Sequence, residues 1–179
     1  MFGIEMNKSE KEQFLLSQLF NMTLAATVQH SPTYQKDASE KEKVSFRKSL
    51  QNSLVSISEQ YRGEISETTH CKNIQVLAKE LSANHRNALD KGRFRIGSAQ
   101  KALNLYLKYL WCLGRIGMPP HCPVDGIILN ELAKTTGYKK IGWTRLDSIT
   151  MYEEIICKAK EVAGKLPLSE WELQFYNAA

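Results

Sequence analysis

Six basic residues, Lys91, Arg93, Arg95, Lys101, Lys108 and Arg115, lie in a stretch from Lys91 to Val124 that holds no Asp and no Glu. The whole chain has 24 basic and 19 acidic residues and a net charge of +5; outside this stretch 18 basic residues face all 19 acids. A local surplus of this kind sets up a field that attracts polyanions, and phosphate backbones are the commonest. Lys101, Asn104, Lys108 and Arg115 follow one another at steps of 3, 4 and 7, which puts them on one stripe of a helix. Such a stripe lines a groove for phosphates or forms the solvated face of an otherwise buried helix. Arg93 and Arg95 add two forked donors just before the helix. Gly97 admits close backbone approach at a helix start, where anions are favoured. A second basic segment holds Lys139, Lys140, Trp143 and Arg145, in which Trp143 offers a face for base stacking.

The acid-free run closes on Pro119-Pro120-His121-Cys122-Pro123-Val124-Asp125. Asp125 reads as a helix N-cap or as a general base with His121 or Cys122 beside it. A nucleophilic cysteine there needs a lowered pKa and a base at its sulfur. His70-Cys71 and His121-Cys122 repeat one dipeptide, but there is no Cys-x-x-Cys and no spaced histidine pair, so no metal site is expected. Phosphate loops of the Walker and dinucleotide kinds are missing, and no cofactor is expected.

The elements that must position these residues are helical. Ser9 to Glu12 and Ser39 to Glu42 are capping boxes, and Ser169 to Glu172 reads as a third, with Leu168 and Leu173 as its staple. The first box opens a helix toward His30. The second opens one with Phe46, Leu50, Leu54, Ile57 and Tyr61 on one face, stopped by Gly63. A third helix carries Ile74, Leu77 and Leu81. The fourth, from about Ile96 to Ile116, is apolar on nearly every side and so belongs at the centre of the core. Asp125 and then Asp147 or Ser148 start two more. The expected fold is all-α: a single compact domain over 1–179, with about six or seven helices around the central one. An N-terminal lobe (1–90) and a basic C-terminal lobe (91–179) are the alternative division.

At 179 residues and 42% hydrophobic, the chain can bury a core without disulfide or metal staples. No apolar run is long enough for a membrane span, and the first residues do not form a signal peptide. Four widely spaced cysteines fit reduced thiols and a cytoplasmic location.

Gly97-Ser98-Ala99-Gln100-Lys101, an apolar helix, and Pro123-Val124-Asp125-Gly126 at the next helix start resemble the helix-hairpin-helix DNA glycosylases of base excision repair. In that family a glycine hairpin grips DNA phosphate, bifunctional members carry a lysine nucleophile just after it, and an aspartate follows a Pro-Val-type turn. The resemblance spans about residues 93–132 and implies Lys101 as nucleophile and Asp125 as catalytic carboxylate. Here the hairpin is reduced to Arg95-Ile96-Gly97, and the four-cysteine iron–sulfur cluster of some members has no counterpart.

Three functional classes therefore stand open. The first is a nucleic-acid-binding protein, with DNA as the ligand and glycosylase-like chemistry as its catalytic form. The second is a non-catalytic subunit docking an acidic protein partner. The third is an enzyme acting on a small phosphorylated substrate. No membrane partner is expected, and the sequence leaves oligomeric state open.

Overall fold

The computed structural model describes residues 10–29, 31–139 and 141–177, with side chains described through residue 174. The helices are α1 (Glu10–Val28), α2 (Glu40–Ser58), α3 (Glu67–Asn84), α4 (Ile96–Cys112), α5 (Gly126–Thr136), α6 (Ile149–Ala163) and α7 (Leu168–Asn177). Short 3-10 turns cover Glu59–Arg62, Asp90–Gly92 and Trp143–Arg145. Among the described residues extended pairing is limited to one bridge, Tyr34 with Leu89. The fold class is all-α, and no described helix is long and apolar enough to cross a membrane.

Local rules account for the helix starts. Ser39 caps α2 by a complete capping box with Glu42. Ser66, Asp125 and Ser148 cap α3, α5 and α6 through side-chain oxygens on early amides. The first expected box includes Ser9, which lies outside the described residues. The third does not form: α7 starts at Leu168, so Ser169 is already inside the helix and donates to the carbonyl of Pro119. Glu172 is drawn instead to Lys108.

The sequence pattern carried the fourth helix to Ile116, but α4 ends at Cys112. Gly114 adopts φ 67°, and its amide bonds to Trp111 while the Arg115 amide bonds to Leu110. This is a Schellman stop, which needs a left-handed residue after the cap and finds glycine there.

α4 is the central element. α1, α2, α3, α6 and the Trp143–Arg145 turn all pack on it. One cluster of buried side chains runs from Leu19 and Phe46 through Leu103 and Leu107 to Ile155 and Trp171. Thirteen residues of α4 are buried, including Gln100, Lys101, Asn104 and Lys108. The core therefore surrounds the polar stripe as well as the apolar faces.

Candidate functional site

The stripe on α4 serves as a rail for the turn that follows the helix. Gln100, fully buried, donates to the Val124 carbonyl (2.7 Å) and accepts from the Val124 amide (3.0 Å). Asn104 donates to the Cys122 carbonyl (3.1 Å). Lys101 Nζ lies 2.7 Å from Asp125 Oδ2, with side chains only 6% and 14% exposed. The other carboxylate oxygen of Asp125 accepts from the amides of Ile127 and Ile128. The two residues implied by the glycosylase resemblance thus do meet. Both oxygens of the aspartate are already engaged, one on the lysine and one on the helix start.

Beneath the same turn lie two histidine–tyrosine pairs. Tyr152 hydroxyl is 3.0 Å from His121 Nδ1, and Tyr61 hydroxyl is 2.7 Å from His70 Nδ1. Asn104 donates to the Tyr152 oxygen, and the Glu67 carboxylate 3.8 Å from His121 Nε2 favours the ring proton there, which leaves Nδ1 to accept from the Tyr152 hydroxyl. The two imidazoles stack edge to face, 4.7 Å between centroids. Burial pushes both histidines down to about 3, so both are neutral. The repeated His-Cys dipeptides therefore converge through their histidines, while among the described residues no group of three or more ligand side chains is placed to hold a metal ion. Burial drives the Cys122 thiol upward and Tyr152 likewise, which keeps Cys122 a protonated thiol within the core.

His70 Nε2 faces the side-chain oxygen of Asn104, yet neither of these two atoms has a well-formed hydrogen bond. His121 Nε2 has no hydrogen-bond partner either and lies 3.8 Å from Glu67 Oε2. It lines a cleft of about 300 Å³ between α3 and α6, together with Glu67, Cys71, Glu153 and Lys160.

The acid-free run finds its acids in three dimensions. Arg93 and Arg95 both reach Asp147, and Arg95 also approaches Asp90. Lys101 meets Asp125, Lys108 meets Glu172 at 2.6 Å, and Arg115 meets Glu12. Lys91 is the one member of the six without a carboxylate partner among the described residues. Arg93 and Arg95 share Asp147, just before α6, while Lys101, Lys108 and Arg115 reach the cap of α5, α7 and α1. The expected open stripe is therefore corrected: Asn104 is fully buried and Lys108 is 8% exposed, so neither offers a surface for phosphate.

Gly97 is corrected in the same way. A Cβ there would stand 1.8 Å from the Trp143 carbonyl oxygen, and the Gly97 amide donates to Leu146. Protein backbone fills the space that phosphate was expected to use. Trp143 is buried against this junction and presents no stacking face, while Lys139 and Arg145 are exposed. Lys140 lies outside the described residues. Arg115 stands beyond the far end of α4, roughly 25 Å from the Arg93–Arg95 end for a helix of this length. These basic residues do not form one site.

What remains at the surface is a groove of about 360 Å³ where α3 meets the start of α4. Lys79, Arg93 and Arg95 line it, with Asp147 as the only carboxylate. Arg93 is 49% exposed. Lys79 was missed by sequence reasoning, because helix α3 shows no basic stripe. Gln100, Tyr152, His70 and Glu172 were also missed as network members. A polar glutamine within the apolar fourth helix was the available signal for the first.

No protein-family model, curated protein or solved structure matches the chain.

Proposed function

We propose that the protein binds nucleic acid, with DNA as the ligand, through the groove at the start of α4. One observation carries this reading. The Arg93 and Arg95 guanidinium groups converge on a single carboxylate oxygen, Asp147 Oδ2. Two forked donors focused on one anionic oxygen form a clamp that suits a phosphate as well as a carboxylate. Lys79 adds charge from α3, and exposed Lys91 and Arg145 flank the groove along the chain. Asp147 then acts as an internal stand-in that a phosphate displaces.

The test is fluorescence anisotropy of a labelled duplex and a labelled single strand over a range of salt. Affinity falls with salt at a log–log slope of about −0.9 per duplex phosphate contacted. Arg93→Gln weakens binding across sequences and lowers that slope by about one phosphate. Asp147→Asn tightens binding. Absence of salt-dependent binding, or an Arg93→Gln protein that binds as wild type, overturns the proposal.

Glycosylase chemistry has one observation in its favour, the meeting of Lys101 with Asp125. In the binding reading that pair is a strut: the lysine is nearly covered, and the aspartate caps α5. Borohydride trapping on DNA with damaged bases separates the two. An adduct lost in Lys101→Gln would establish the enzyme, and the binding reading expects none.

A further inference from the structure

The cleft between α3 and α6 shares no lining residue with the groove and contains a built donor. His121 is 2% exposed, and its Nε2 has no hydrogen-bond partner. Tyr152 occupies Nδ1 and Nε2 bears the proton; the ring lines the cleft, and the nearest acceptor, Glu67 Oε2 at 3.8 Å, is beyond hydrogen-bond reach and already held by Lys160. A buried donor without an acceptor is costly, and an acceptor entering the cleft removes that cost. Because the imidazole is held neutral, it offers a hydrogen bond without adding charge.

The rim limits what can enter. Glu67 is paired with Lys160. Glu153 has no cation within ion-pair distance among the described residues, and its carboxylate instead faces the Cys71 thiol, held protonated with a pKa of about 11 by burial and then by that carboxylate. Two carboxylates and one ammonium leave the lining net negative. A volume of about 300 Å³ suits a small organic molecule.

We propose that the α3–α6 cleft binds a small protonated amine carrying a carbonyl oxygen a few bonds away, the chemistry of an aminoacyl amide. The carbonyl accepts from His121 Nε2 and the ammonium lies against Glu153. A simple anion meets a net negative rim. A simple amine leaves the histidine unsatisfied. A metal ion meets a protonated nitrogen and no cluster of three ligands among the described residues.

The full chain is titrated with glycinamide hydrochloride, ethylamine hydrochloride and acetamide at constant ionic strength. The readout is the His121 ring in long-range proton–nitrogen NMR spectra, assigned by its loss in His121→Gln. Glycinamide shifts the His121 signals saturably, and ethylamine and acetamide bind at least about tenfold more weakly. Glu153→Gln, a change on the exposed rim, weakens glycinamide by a similar factor. No saturable shift with glycinamide overturns the proposal. So does equal binding of either partial probe, or an unaffected Glu153→Gln protein. Glu153→Gln keeps the test valid if His121→Gln fails to fold. The groove and the cleft share no lining residue, and the titration reads His121 alone, so failure of nucleic-acid binding does not bear on this result.

Discussion

Acid should unfold this protein through its two buried histidines. In the unfolded chain each titrates near 6.5, and in the fold each is held near 3 by burial. The folded state therefore binds fewer protons between those values. The stabilisation is complete above pH 6.5 and is lost as pH falls toward about 3. At pH 5 the linkage relation assigns each histidine a loss of about 2 kcal/mol relative to pH 8. The pair together loses roughly 4 kcal/mol, a large share of the 5–15 kcal/mol typical of a domain. His121 also lowers His70 by charge, so the two protonations oppose each other and the second is harder than the first. Glu172 works in the other direction. Its carboxyl is raised by burial, so acid favours the folded form at that position. The comparison must therefore be made against variants. Urea unfolding of wild type and His121→Gln at pH 8 and pH 5 isolates the histidine contribution. The wild type should lose several kcal/mol on acidification, and His121→Gln should lose about 2 kcal/mol less. Equal stability of wild type at both values, or an identical acid loss in the variant, would refute the neutral buried pair.

Three other outcomes follow from the packing. Gly97→Ala places a methyl carbon 1.8 Å from the Trp143 carbonyl oxygen and should cost about 2–4 kcal/mol, seen as a large drop in Tm; an unchanged Tm would contradict the close approach. Asp125→Asn keeps a capping oxygen but leaves Lys101 buried without its counter-charge, so it should cost about 3 kcal/mol or more in chemical denaturation. Adding Lys101→Met should recover part of that loss, and a double variant no better than the single would show that the pair is not coupled. Gln100→Leu removes both hydrogen bonds to Val124 and should cost about 2–3 kcal/mol, with greater amide exchange at Val124 as the local sign.

The helices were legible because helix signals are local. Ser39 with Glu42 and the stripe Phe46, Leu50, Leu54 and Tyr61 act within a few turns, and the structure caps and buries them as read. The centrality of α4 was legible too, since a helix apolar on most sides has few places to go. Helix ends were less clear: the apolar pattern ran on past the local glycine stop at Gly114, and Ser169 was lost as a cap because its hydroxyl goes to the Pro119 carbonyl, 50 residues away. Asp125 as a cap followed from its position. That it also receives Lys101 did not, because the partners lie 24 residues apart and meet only when the turn folds back along α4. The acid-free run shows the limit most plainly. Charge counted along the chain is a one-dimensional quantity, and it described an open basic face. Coulomb attraction acts through space, and burial makes an unpaired charge costly. The fold therefore brought Glu12, Asp125, Asp147 and Glu172 from four other places to the same run, and left Arg93 and its groove as the part still turned outward.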